Sequence, residues 1–364
     1  MTAASADDLP EAASFAHAFH VYEVETDGAD VRYYGEPLVD RDAVVEEVAP
    51  AFRPRGYRVT LRYETGEYVL VATERSPGVD GVPWTNVLLF LATVATTLLA
   101  GARWYGFPVT ERPLAVFAAW PFAAAVLGVL AVHELGHYAL SRYHGVEASL
   151  PYFIPVPTLL GTLGAVIRMN DNMPDRKALF DIGVAGPLAG LVATVVVTAV
   201  GVSLPPVAAP PVVARVELGY PPLVHLVAAA VGEPVRYADP SLMVNPVVVG
   251  GWVGAFVTFL NLLPVGQLDG AHVLRALAGD RATTVSRVVP FALFGLAGYL
   301  HLTGRTGSVG VWVVWGLLAL LLSRVGGARP IDRSPVGPAR WAVGLLAFAL
   351  GLLAFTPTPI AVPL

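Results

Sequence analysis

Two kinds of hydrophobic patterning divide the chain near residue 82. Before it, apolar and polar residues alternate over 19–25 and 57–73, the period of a half-buried strand, with Glu64-Thr65-Gly66-Glu67 as a hairpin turn. Residues 39–52 carry helical spacing instead. The pattern predicts a small α+β unit with strand pairs flanking one helix. After residue 82 the alternation gives way to charge-free apolar runs at 84–102, 113–132, 183–204, 242–263, 288–300, 309–323 and 341–355. A helix needs ~20 such residues to cross the hydrocarbon core of a bilayer. These runs predict a polytopic α-helical membrane protein of six to seven transmembrane helices with a small N-terminal α+β soluble domain. The runs near 290 and 310 are short enough for one of them to be tilted or re-entrant. The expected boundary puts 1–82 in the soluble domain and 83–364 in the membrane domain.

Composition sharpens this division. Hydrophobic residues make up 55% of the chain and charged residues 14%, with a mean hydropathy of +0.61, which sets it apart from an average soluble protein. About 16 of the 28 acidic residues but only about 7 of the 23 basic ones precede residue 83, so the N-terminal unit is acidic. There is no cysteine, which removes disulfides, thiol catalysis and cysteine-ligated metals; any metal must use His, Asp or Glu. No basic run suits a nucleic-acid backbone, so no nucleic-acid partner is expected. The first residues, MTAASADDLPEAAS, lack the basic start of a cleavable signal peptide.

Basic residues also suggest an orientation, because short cytoplasmic loops accumulate Lys and Arg. With the amino terminus inside, Arg142, Arg168, Arg176, Lys177, Arg275, Arg281, Arg287, Arg324, Arg329, Arg333 and Arg340 fall inside, against Arg103, Arg112, Arg215, Arg236 and Arg305 outside. The expectation is a multi-pass protein of the cell membrane whose N-terminal domain faces the cytoplasm. Residues 205–241 read as a Pro-rich external loop, since its three Pro-Pro pairs oppose continuous helix.

Candidate chemistry begins at His133-Glu134-Leu135-Gly136-His137, an H-E-x-x-H motif near the end of the second apolar run. On a helix, residues four apart share a face, so both imidazoles can reach one metal while Glu134 stands beside them as a general base. Ionisable groups are expensive inside an apolar span, which argues that these are employed. The helix is expected to run on to Arg142 and stop at Gly145. At 1.5 Å per residue the metal would then lie roughly 14 Å below an interfacial arginine. A hydrolytic zinc site needs a third protein ligand and an open position. Asp269, in Asn261-Leu262-Leu263-Pro264-Val265-Gly266-Gln267-Leu268-Asp269-Gly270, can supply it, but Asp also suits the N-cap of the helix that follows. Spacing leaves both readings open.

HELGHYALSRYHGV together with NLLPVGQLDG resembles the paired signature of the site-2 protease family, and GTLGAVIRM and FDIGVAGPLAG are similar to that family's archaeal and chloroplast-like branch. The resemblance covers roughly 115–280, the expected catalytic core of a transmembrane metalloprotease domain. It implies an intramembrane zinc metalloendopeptidase with His133, His137 and Asp269 as ligands of Zn2+, Glu134 as general base, and Asn261 stabilising the oxyanion or orienting the substrate. It also implies that the substrates are transmembrane proteins met within the lipid bilayer. Relatives often carry further prolines after the position of Pro264, where this chain has Gly266 and Gln267; that departure touches the loop more than the metal. Asn261 can equally serve as an interhelical hydrogen bond. His272, three residues past Asp269, is a further neighbour of the site, and His144 is expected to cap its helix.

Two more segments bear on substrate binding. Prolines at 151, 155 and 157 keep 150–157 from being helical, and Gly161 to Arg168 follows, so the pair suits a membrane-touching hairpin whose open edge pairs with an unwound substrate. Gly186-Pro187-Leu188-Ala189-Gly190 has the small-residue spacing of close helix packing. The rival function for the same His/Asp cluster is a membrane metal transporter or metal-binding protein.

Overall fold

The computed structural model describes residues 9–27, 30–64, 66–74, 82–169, 172–210, 216–324, 328–332 and 334–361. Residues 1–8, Thr65, Arg215 and Arg333, used in the sequence reading, lie outside the described residues. The chain separates into two compact units, Met1–Gly78 and Val79–Leu364.

The first unit is a four-stranded antiparallel sheet with one helix. Strands β1 (Phe19–Asp27), β2 (Asp30–Pro37), β3 (Tyr57–Glu64) and β4 (Glu67–Glu74) stand in the order β1-β2-β4-β3, and α1 (Arg41–Phe52) joins β2 to β3. In β2 the alternation is literal: Val31, Tyr33 and Gly35 are buried while their neighbours are not. Val44, Val48 and Phe52 recur at helical spacing on α1 and are wholly buried. Phe15, Tyr33 and Phe52 form the aromatic centre, with ring centroids 5.1–5.6 Å apart. Strand β2 lay beyond the sequence reading because Asp30 to Pro37 mixes Gly and charges into its alternation.

The second unit is helical. Among the described residues, four helical segments are long and apolar enough to cross a membrane: α2 (Trp84–Tyr105), the segment Pro113–Tyr143 containing α3 (Trp120–Tyr143), α4 (Arg176–Ser203) and α8 (Arg281–Leu302). Helices α5 (Pro222–Val231), α6 (Val247–Asn261), α7 (Asp269–Ala278), α9 (Val309–Leu322) and α10 (Pro338–Leu353) are shorter. Two expectations change here. The apolar run at 242–263 contains a helix of only 15 residues, because Asn245-Pro246 delays its start. The run near 290, by contrast, is a 22-residue helix that takes in Arg281 and Arg287 at its polar start. The Pro-rich stretch 205–241 also holds a helix: in α5 the second proline of Pro221-Pro222 sits at the first helical position, where a missing N–H costs nothing.

Helices α3, α4 and α6 pack closely because small residues let backbones approach. A Cβ on Gly136 of α3 would stand 2.8 Å from the Ala185 carbonyl of α4, and one on Gly201 of α4 would stand 2.7 Å from the Val248 backbone of α6. Asp175 caps α4, its carboxylate accepting the Ala178 N–H at 2.7 Å. One residue later, the Arg176 guanidinium donates to the Ala276 and Leu277 carbonyls that end α7. Ahead of α4, β5 (Tyr152–Pro155) and β6 (Thr162–Val166) pair antiparallel as the expected hairpin. The hairpin is stapled along α2: Asn86 donates to the Leu150 and Pro151 carbonyls, Thr96 to Gly161 and Trp104 to Leu159.

Candidate metal centre

The ends of two helices meet at one point. Helix α3 presents His133 and His137 one turn apart. After α6, the Leu262 to Leu268 segment turns the chain back, with Gly266 at φ +62°, a conformation that favours glycine. Helix α7 then begins at Asp269. The N-cap position belongs to Leu268, and Asp269 is the first helical residue, not the cap. Its carboxylate points at the imidazoles: Oδ2 lies 3.3 Å from His133 Nε2 and 3.2 Å from His137 Nε2, and the two nitrogens are 3.3 Å apart. Among the described residues this is the one cluster of three His or acidic side chains with the ligand spacing of a metal site. All three residues are buried.

The cluster's dimensions can be tested against a zinc ion. Four ligands in a tetrahedron with bonds of about 2.0–2.1 Å stand about 3.3–3.4 Å from one another. The observed edges of 3.2, 3.3 and 3.3 Å match this spacing, and two imidazole nitrogens with one carboxylate oxygen are a zinc donor set. His137 is oriented from behind, its Nδ1 lying 2.8 Å from the Ile182 carbonyl of α4, the support that a metal-ligating histidine requires.

Glu134 is buried on the adjacent face of α3, with the Ile167 backbone N–H from the end of the hairpin directed at its carboxylate. Asn261, the last residue of α6, places Nδ2 3.0 Å from His133 Nε2. This contact joins α6 to α3, and it also brings the amide to the ligand cluster. His272 is buried on α7 with its Cβ against Gly183. His144 occupies the C-cap of α3 as expected and also bonds Asp181 at 3.0 Å. Asp181 in turn accepts two hydrogen bonds from Arg340 at 2.8 and 2.7 Å, tying α10 to α4 one residue from Ile182.

The sequence reading assigned Gly186 and Gly190 to packing alone. In the structure they wall the cluster. A Cβ on Gly186 would overlap Nε2 and Cδ2 of His137 and stand 2.6 Å from its Cε1, and one on Gly190 would stand 2.8 Å from His133 Nδ1. The signal available in the sequence was the four-residue spacing, which matches that of His133 and His137 on the facing helix.

A model of peptidase family M50 matches residues 121–296, from the start of α3 through the cluster into α8. Through this stretch the chain is similar to peptidase family M50. The M50 match ties together HELGH, the GPLAG helix and the NLLPVGQLDG turn, which are distant in sequence and adjacent in space. Among curated relatives, the chain is 35% identical over 213 residues to "Probable zinc metalloprotease EGY1, chloroplastic" of Arabidopsis thaliana, covering 57% of this chain and 37% of that protein. It is 28% identical over 179 residues to "Probable zinc metalloprotease EGY2, chloroplastic" of Arabidopsis thaliana, covering 49% and 32%. It is 30% identical over 292 residues to "Probable zinc metalloprotease EGY3, chloroplastic" of Oryza sativa subsp. indica, covering 72% and 47%. The aligned part thus spans 32–47% of the length of these relatives. No solved structure matches the chain.

Proposed function

We propose that this protein is an intramembrane zinc metallopeptidase of the M50 kind that hydrolyses peptide bonds within or near transmembrane segments of other membrane proteins. The observation that carries the reading is the convergence of His133 Nε2, His137 Nε2 and Asp269 Oδ2 within 3.3 Å at the end of an apolar helix. The match to the M50 model and the zinc metalloprotease names of the relatives support it.

In this reading His133, His137 and Asp269 hold zinc. When bound, zinc supplies Lewis-acid chemistry, polarising a carbonyl and acidifying water. Glu134, buried beside the cluster, takes the proton from the attacking water and returns it to the leaving amine. The Asn261 amide orients the substrate or stabilises the developing oxyanion. The β5–β6 hairpin offers an open strand edge, where Leu163 and Val166 are exposed, to an unwound substrate segment. Unwinding is needed because carbonyls inside a helix are already hydrogen-bonded. Residues 1–82 form an acidic domain apart from the metallopeptidase domain of 83–364.

The chain crosses the membrane six to seven times, the four long helices being joined by shorter ones. Helix α6, about 22 Å long, falls short of a ~30 Å hydrocarbon core and ends at membrane depth, where its broken backbone lines the enclosed site. The arginine distribution favours a cytoplasmic amino terminus and a site that opens toward the cytoplasm.

The test is elemental analysis paired with cleavage of a membrane-segment substrate by purified protein. Wild type is expected to carry zinc and to cleave in a chelator-sensitive way, and Glu134→Gln to keep zinc while losing turnover. Undiminished cleavage by Glu134→Gln would overturn the assignment of the base. Zinc binding without any proteolysis would favour the metal-transport alternative.

A further inference from the structure

Hydroxyls in the helices of the second unit are mostly satisfied in one way. Thr93, Thr97, Thr194, Ser203 and Thr303 each donate to the carbonyl four residues earlier. Thr258 of α6 does not, although it is only 1% exposed. Its Oγ1 is buried with no hydrogen-bond partner among the described residues. A polar group left so in an apolar interior is costly unless something else binds it.

The place of Thr258 follows from its neighbours. Gly254, one turn earlier on the same face of α6, abuts Val129 of α3 and the Thr194 hydroxyl of α4. Asn261, three residues after Thr258, reaches His133. Val129 lies one turn before His133 on α3, and Gly190, whose added Cβ would stand 2.8 Å from His133 Nδ1, lies one turn before Thr194 on α4. Thr258 thus shares the face of α6 that Gly254 turns to α3 and α4 and Asn261 turns to His133, whose Nδ1 side is walled by Gly190.

That side has an unmet requirement. His137 has the Ile182 carbonyl for its Nδ1. The hydrogen bonds of His133 among the described residues all use Nε2. A metal-ligating imidazole needs an acceptor for its other N–H, and water serves as one. We propose that Thr258 Oγ1 holds a buried water that accepts the His133 Nδ1–H. The Thr194 hydroxyl or the Gly190 carbonyl is the third partner, within the two to four that a buried water typically finds. Thr258 is thus a positioning residue for a metal ligand, one turn of α6 away from Asn261. This rests on the metal-centre reading above.

The test uses the full chain in detergent micelles and compares Thr258→Val, which keeps the shape and removes the hydroxyl, with Thr258→Ser, which keeps the hydroxyl. Zinc affinity is measured by chelator competition, and thermal unfolding of the metal-free protein is followed alongside. Thr258→Val is expected to bind zinc about 10–100-fold more weakly, with metal-free unfolding unchanged or raised, and Thr258→Ser to stay near wild type. Wild-type affinity in Thr258→Val sinks the inference. So does equal weakening in Thr258→Ser, since shape and not the hydroxyl would then be responsible. If Thr258→Val fails to fold, Thr258→Ala takes its place against the same Ser comparison. A wild type that binds no zinc sinks the metal-centre reading itself, a separate outcome.

Discussion

Adding one methyl group at Gly186 tests how tightly the GPLAG helix controls the cluster. The new Cβ would overlap His137 Nε2 and Cδ2 and stand 2.6 Å from Cε1, where carbon atoms rest at about 3.5 Å. The ring must therefore retreat by roughly 0.9 Å at Cε1 alone, against a tolerance of about ±0.2 Å for a metal–ligand bond. Retreat is opposed on two sides. The Nδ1 contact to Ile182 at 2.8 Å holds the ring from behind, and the approach of Gly136 to Ala185 leaves α3 and α4 little room to part. Overpacking of this kind costs about 1–3 kcal/mol, and a displaced ligand should weaken zinc by at least the 10–100-fold seen when ligand support is lost, about 1.4–2.7 kcal/mol. We expect Gly186→Ala to lose zinc in chelator competition, and Gly190→Ala, whose Cβ meets the non-ligating nitrogen, to lose less. Wild-type zinc affinity together with unchanged thermal unfolding in Gly186→Ala would refute the reasoning, because the helix would then have space that its geometry denies.

Other expectations follow from individual residues. Asp269→Ala should abolish stoichiometric zinc while α7 still forms, since the N-cap position belongs to Leu268; zinc retained at wild-type stoichiometry would mean another residue ligates. Gly164 sits at φ +115° in β6, so a bulky residue there should impair cleavage of a membrane-segment substrate and spare zinc content, and unimpaired cleavage would count against the hairpin as the substrate edge. In the N-terminal unit, burial pushes the Tyr33 hydroxyl from 10 up to about 12. The folded form thus holds its proton more tightly than the unfolded one, so the stability is present below pH 10 and is lost as pH rises through about 12. Tyr33→Phe should flatten that alkaline loss in a pH series of unfolding curves, and an identical profile would show that Tyr33 does not cause it.

Local pattern was enough for several features. The alternation in 57–73 and the spacing in 39–52 marked β3, β4 and α1, because strand and helix periods are written into neighbouring residues. The apolar runs marked α2, α3 and α4 for the same reason, and the i, i+4 spacing of HELGH put two histidines on one face of α3. What local pattern could not reach were features made by residues far apart. The true ends of α6 and α8 depended on Asn245-Pro246 and on polar residues admitted at a helix start. Spacing left Asp269 open between cap and ligand; only the tertiary structure places its carboxylate 3.2–3.3 Å from both imidazoles, at the first residue of its helix. Gly186 and Gly190 read as packing positions from spacing alone. Periodicity in the chain specifies which face of an element is apolar; only the packing of α3, α4, α6 and α7 decides which atoms those faces bring within bonding distance, because that distance depends on every side chain between them.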